Sequence, residues 1–196
     1  MKAALTALAL VFIPACDAAT EADVATPPEG LASAATPILP TVAEMAAPPA
    51  PGGIGCSPKE APIFACNLTN GKRVAVCSGG GRSAQYRYGS TIRELAIDGG
   101  EFGYQMYSGG GEGQIVFVNQ GYRYVVFSRV VRTNFAPGEP NYPAVTDGVI
   151  VLRGDKFVGM QLCDDPAALP VQLDAASAVW ERQDDLFTGE TERADR

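Results

Sequence analysis

The chain has 196 residues, five of them cysteine and none histidine, and its 15 Lys plus Arg against 22 Asp plus Glu give a formal net charge of −7. Without an imidazole, Ser-His-Asp and Cys-His nucleophile systems are excluded, because both need it as base. The acid is concentrated outside the middle of the chain: between Cys56 and Cys163 there are eleven Lys plus Arg against eight Asp plus Glu, a balance of +3, and so modest an excess argues against a nucleic-acid partner.

The N-terminus reads MKAALTALALVFIPAC. Lys2 and an apolar run of about eleven residues, Ala3 to Ile13, match the h-region of a signal peptide, whereas a membrane span needs roughly 20. Pro14, Ala15 and Cys16 end the run, and IPAC resembles the lipobox of bacterial lipoproteins, with Pro14 where a small residue is usual. The resemblance implies a signal peptide over 1–15, acylated Cys16 as the mature N-terminus, and attachment to the lipid bilayer without a span. An ordinary secretory cut near Ala18 or Ala19 is the alternative. Several acyl chains on one residue anchor stably, since each buried methylene contributes about 0.8 kcal/mol. The expected location is the bacterial cell envelope, facing the periplasm, and Asp17 resembles an inner-membrane retention signal.

Residues 16–55 are rich in Ala, Pro and Thr, carry Asp17, Glu21, Asp23, Glu29 and Glu44 with no base, and follow neither a helix nor a strand period. They read as a tether of about 35 Å root-mean-square span. The folded domain is expected over 56–170 and is all-β. IFACNLTNGKRVAVC carries Asn70-Gly71 between two β-prone runs, a strong hairpin signal; with those two residues as the turn, Cys66 faces Ala75 and Phe64 faces Cys77. Further strands are expected at Gln85–Tyr88, Phe102–Tyr107, Gly113–Asn119, Tyr122–Val131, Gly148–Arg153 and Lys156–Cys163, the last pair closed by a Gly154-Asp155 type II′ turn. About eight strands in so short a domain make one antiparallel barrel or sandwich. Over 171–196, LDAASAVWERQ reads as a short helix capped by Asp174, with Val179 and Trp180 covering one end of the barrel, followed by a frayed acidic tail bearing Glu190, Glu192 and Asp195.

In an oxidising compartment Cys56, Cys66, Cys77 and Cys163 form two disulfides. Three connectivities are open, and the hairpin register favours Cys56–Cys77 with Cys66–Cys163. Spacings of ten and eleven residues make no metal knuckle, so neither metal nor cofactor is expected. CSGGGRS and YSGGGEGQ lack the phosphate-loop pattern and read as turns. On one strand Arg123, Val125, Phe127 and Arg129 share a face, an apolar middle with arginines reaching outward at the rims. RTNFAPGEPNYPAVTDG joins two strands by a long loop, stiffened by Pro137, Pro140 and Pro143 at every third residue; Arg132, Asn134, Glu139, Asn141 and Tyr142 are its reactive surface.

IFAC, GKRVAVC and QYRYG together resemble a recurrent set of small exported bacterial proteins that carry no assigned activity. More weakly, the chain resembles the membrane-bound C-type lysozyme inhibitors, lipoproteins with a small antiparallel barrel braced by a disulfide from first strand to last, which Cys66 and Cys163 fit. That family presents a Ser-Gly-x-x-Tyr loop to the lysozyme cleft; Ser108-Gly109 match its start, and Glu112 stands at the tyrosine position. The expectation is a tethered, non-catalytic binding or inhibitory domain that meets an envelope protein or glycan through Ser108, Gly109 and Glu112 and the proline loop. The alternatives are a carboxylate-based envelope hydrolase using Glu112 and Asp147, and a purely structural envelope protein.

Overall fold

The computed structural model describes residues 53–195. The expected signal peptide, the lipidation cysteine Cys16 and nearly all of the linker lie outside the described residues. Nine strands follow one another as an antiparallel meander: β1 (Ala61–Asn67), β2 (Arg73–Ser78), β3 (Ala84–Gly89) and β4 (Arg93–Gly99) form one sheet, and β5 (Glu101–Tyr107), β6 (Gly110–Asn119), β7 (Tyr122–Val131), β8 (Ala144–Arg153) and β9 (Lys156–Leu162) the other. The result is an all-β sandwich. Alternate side chains from both sheets fill its interior, with Phe64, Tyr86, Phe102, Ile115, Phe117 and Val126 all nearly inaccessible.

The sheets are joined at both edges. On one side the chain crosses at Gly99-Gly100, both in the left-handed region. On the other, the end of β1 lies against the exit of β9: the Thr69 amide donates to the Leu162 carbonyl at 2.9 Å, that of Asp164 donates to Asn67 at 2.8 Å, and a disulfide joins Cys66 to Cys163 with Cα atoms 5.7 Å apart. A second disulfide, Cys56–Cys77, has a Cα separation of 5.4 Å. It fastens the segment before β1 to the outer face of the first sheet, where Ile54 packs with Ala75 and Cys77 and Arg87 holds both Glu60 carboxylate oxygens and the Gly55 carbonyl.

Several local expectations need correction. The β1–β2 loop has three residues, with Gly71 at φ +75°, the Gly71 amide on the Leu68 carbonyl and the Leu68 amide on the Lys72 carbonyl. That extra residue sets Cys66 opposite Val74 and Phe64 opposite Val76, one position from the two-residue register. β4 was not expected, because its charged Arg93, Glu94 and Asp98 obscure the alternation of Leu95 and Ile97. β6 begins at Gly110 and β8 at Ala144, so both flanking loops are shorter than expected. The helix α1 spans only Leu173–Ser177; Gln172 stands at its N-cap and Asp174 makes no capping bond. Val179 is buried beyond it, and Trp180 meets Phe117 edge-on at 6.2 Å.

The acidic tail is not frayed. It crosses the outer face of the second sheet, where Gly103 leaves room for it: a Cβ there would lie 2.6 Å from the Gln183 carbonyl oxygen. It ends in a 3-10 helix, Gly189–Asp195. Leu186 packs on Val116, Val125, Phe127, Ile150 and Leu152 in a second apolar cluster.

Two stability effects follow. The Cys66–Cys163 bridge closes a span of 97 residues and Cys56–Cys77 one of 21, so chain entropy assigns them about 4.7 and about 3.4 kcal/mol. Urea unfolding should therefore show the greater loss for the Cys66→Ser, Cys163→Ser variant; a greater loss for the other pair contradicts this ordering. The Arg87 guanidinium, helped by the Ser57 amide, lowers the Glu60 carboxyl from 4.5 to about 2. Its contribution is present above pH 4.5 and is lost as pH falls toward 2. Glu60→Gln should flatten the acid limb of the stability curve in that window, and an unchanged limb would show that Arg87 gives Glu60 no such preference.

Candidate functional site

β5, β6, β7 and β8 run past the edge of the first sheet at the end that carries the 132–143 loop. The inner-facing side of the second sheet is open there at Met106 and Val145. On the inner-facing side Met106 pairs with Gly111, Gly111 with Val130, and Val130 with Val145, a single row across four strands in which Met106 is 73% and Val145 61% exposed. Gly111 makes space for the Met106 sulfur, which lies 2.8 Å from where a Cβ would sit. The adjoining loop adds Phe135 and Tyr142, exposed by 71% and 79%. These are exposed apolar groups at one end of the molecule, Met106 and Val145 on one side of the sheet and Phe135 on the other, and exposed apolar surface of this kind marks interaction sites.

The opposite side of the same strands holds charge. Arg123, Val125, Phe127 and Arg129 share this face, with Val125 and Phe127 wholly buried under the tail. Glu112 is buried: its Oε2 accepts from the Tyr107 hydroxyl at 3.0 Å, and its Oε1 accepts from Gln114 Nε2 at 2.6 Å. Gln114 also clamps the tail, donating to the Thr188 carbonyl at 3.0 Å and accepting from its amide at 3.1 Å. Arg129 reaches Asp195 at 3.0 Å and stands 3.9 Å from Glu112. Its Nε and Nη1 are buried without an acceptor. Burial, reinforced by the Glu112 charge, pushes the Tyr107 hydroxyl up. Beside this network lies a groove of about 940 Å³ between the tail and the loop, reached by Ser108, Glu112, Arg132 and Phe135.

The expected binding residues thus divide. Ser108, Glu112 and Arg132 meet at the groove, and Gly109 abuts them, since a Cβ there would lie 3.0 Å from Arg132. Glu112 is not on a loop: the turn consists of Ser108-Gly109 alone, and Glu112 is a strand residue spoken for by Tyr107, Gln114 and Arg129. The presented Ser-Gly-x-x-Tyr geometry is therefore not reproduced. Asn134 braces the loop, with Oδ1 on the Ala136 amide and Nδ2 on the Pro140 carbonyl, while Asn141 Oδ1 accepts from Thr133 and Asn134. Glu139 and Tyr142 project outward and do not line the groove. Met106, Val145 and Phe135 escaped sequence reasoning, although the alternation of β5 and β8, once the strands are drawn to their full length, places the first two on one face.

The two hydrolase carboxylates stand apart. Glu112 shares a face with its cross-strand neighbour Arg129, while Asp147 pairs with the next residue, Ser128. Successive strand residues face opposite ways, so the two carboxylates lie on opposite sides of the sheet. Comparison of the chain with protein-family models, curated proteins and solved structures gives no match.

Burial raises the Asp147 carboxyl, opposed by the Ser128 hydroxyl, and Asp147 Oδ1 has no partner. The folded protein thus binds more protons than the unfolded chain just above the usual aspartate range, and stability falls as pH rises through that window. Asp147→Asn should remove this fall and raise the urea midpoint at pH 7. A lower midpoint would mean that the charged carboxylate is stabilising.

Proposed function

We propose that this protein is a membrane-tethered envelope lipoprotein whose β-domain binds a partner without catalysing a reaction. The observation that carries the reading is the projecting end of β5–β8, where Met106 and Val145 are exposed on one side of the sheet, Phe135 on the groove side, and Tyr142 on the loop between β7 and β8. Phe and Tyr anchors beside an arginine are the composition of binding hot spots, and Arg132 sits over the Phe135 ring at 5.2 Å. The loop is already ordered by its own asparagines, which lowers the entropy that binding costs. An apolar row of this kind favours a protein partner over a glycan. The tether reading rests on the IPAC stretch and the short apolar run before it.

The placement of Glu112 and Asp147 on opposite faces speaks against the alternative of a carboxylate-based hydrolase, because glycoside hydrolysis needs both groups around one substrate.

Cys16→Ser should move the protein from the membrane to the soluble fraction; retention in the pellet at high salt would remove lipid as the anchor. For the domain, surface plasmon resonance of the full chain against C-type lysozyme and against soluble peptidoglycan fragments is the direct assay. The reading expects lysozyme binding that Phe135→Ala or Tyr142→Ala weakens about tenfold or more at unchanged thermal stability. Binding of the glycan alone would reassign the partner class, and binding of neither would remove both candidates. Release of new reducing ends from peptidoglycan by the purified chain would make it a hydrolase.

A further inference from the structure

Away from the projecting end, a cavity of about 540 Å³ opens between the two sheets. Four tyrosines reach it: Tyr86 and Tyr88 from β3, Tyr122 and Tyr124 from β7. The rings of Tyr86 and Tyr124 are 5.6 Å apart. Leu95, Val149 and Met160 make the rest of its wall largely apolar. Among the described residues Glu94 is its only charged lining residue, and it is engaged by Lys72 at 2.5 Å and by Ser90 at 3.2 Å.

Two features separate this space from loose packing. Native interiors leave few voids larger than a water molecule, yet Gly159 hollows this one. It stands on β9 opposite Val151, its backbone is outside the left-handed region, and a Cβ added there would meet nothing within 4 Å. Neither turn geometry nor crowding requires glycine at that position, and a glycine inside a strand often marks the close approach of something else. The second feature is polar. Tyr88 Oη accepts from Asn70 at 3.0 Å, whereas burial, with no hydrogen bond to offset it, pushes the Tyr86 and Tyr124 hydroxyls up. Among the described residues neither hydroxyl has a hydrogen-bond partner, and neither oxygen is among the fully buried unpartnered atoms, so both remain accessible from the cleft.

We infer that the cleft is a binding site for an uncharged, flat, mainly apolar small molecule bearing an oxygen acceptor. The ring faces suit a planar body, the tyrosine hydroxyls suit a carbonyl or ether oxygen, and the absence of a free charge on the wall disfavours an ion. Packed sheets stand about 10 Å apart, which leaves no room for a helix of similar diameter plus side chains. Mouths of β-barrels and clefts of this size are usual places for small ligands. The site is independent of the projecting end.

The test uses the full chain carrying Cys16→Ser, with N-phenyl-1-naphthylamine as fluorescent reporter and 1,4-naphthoquinone or laurate as competitor. Saturable reporter binding, displaced by naphthoquinone, is expected. Gly159→Phe fills the cleft and should weaken reporter binding about tenfold or more, with thermal stability retained. Should that variant not fold, Tyr124→Phe keeps the ring and removes one donor; it should weaken naphthoquinone about three- to tenfold while leaving the reporter unaffected. Absence of saturable binding, or equal binding by parent and Gly159→Phe, overturns the inference. Displacement by laurate and not by naphthoquinone overturns it as well, since the cleft would then take an acyl chain.

Discussion

The junction at Cys66–Cys163 is the constraint on which the other features depend. The two sheets have four edge strands, β4 and β5 where the chain passes between them and β1 and β9 at the two ends of the meander, and an unpaired edge is a site for slippage and aggregation. Here β1 and β9 are brought against each other by backbone hydrogen bonds and then locked by a disulfide that spans 97 residues. The opposite side is already covalent, because the chain turns from sheet to sheet at Gly99-Gly100. With both sides fixed, the sandwich can afford an open cleft lined by tyrosines at one end and an overhanging second sheet at the other.

The outer faces are covered by a common device used with different completeness. On the first sheet, Arg87 ties down the segment preceding β1 through Glu60 and the Gly55 carbonyl, and its Nε finds Gln85. On the second, Arg129 ties down the end of the tail through Asp195, while Gln114 grips Thr188. Arg87 is well supplied with acceptors. Arg129 keeps buried nitrogens without partners, a condition that costs on the order of 1–3 kcal/mol per group. The groove opens along the tail beside this incompletely paired arginine.

How much of this was readable follows from the range of each signal. The turns were legible because they are local: Asn70-Gly71 and Gly154-Asp155 impose backbone conformations that few residues allow. Both disulfides form the pairing that the hairpin favours, although the three-residue loop shifts the register by one, which sequence alone does not decide. β4 was missed because Leu95 and Ile97 lie among charges whose partners are distant in sequence, such as Lys72, which precedes β2, for Glu94. The place of Glu112 on a strand was not legible because its burial beside Tyr107, Gln114 and Arg129 is a tertiary fact. The tail looked frayed because its acids are conspicuous, while Leu186 and Thr191, which bury it, are sparse.

Under the proposed function, a partner in the cell envelope occupies the exposed end of β5–β8. Hydroxyl-radical footprinting reads it directly, since Met, Phe and Tyr side chains are labelled in proportion to their exposure. Labelling in intact cells should be reduced at Met106, Phe135 and Tyr142 relative to the purified chain, while Phe157 on β9, 36% exposed and distant in the meander, keeps its labelling. Equal labelling of all four residues in cells and in solution would contradict the account.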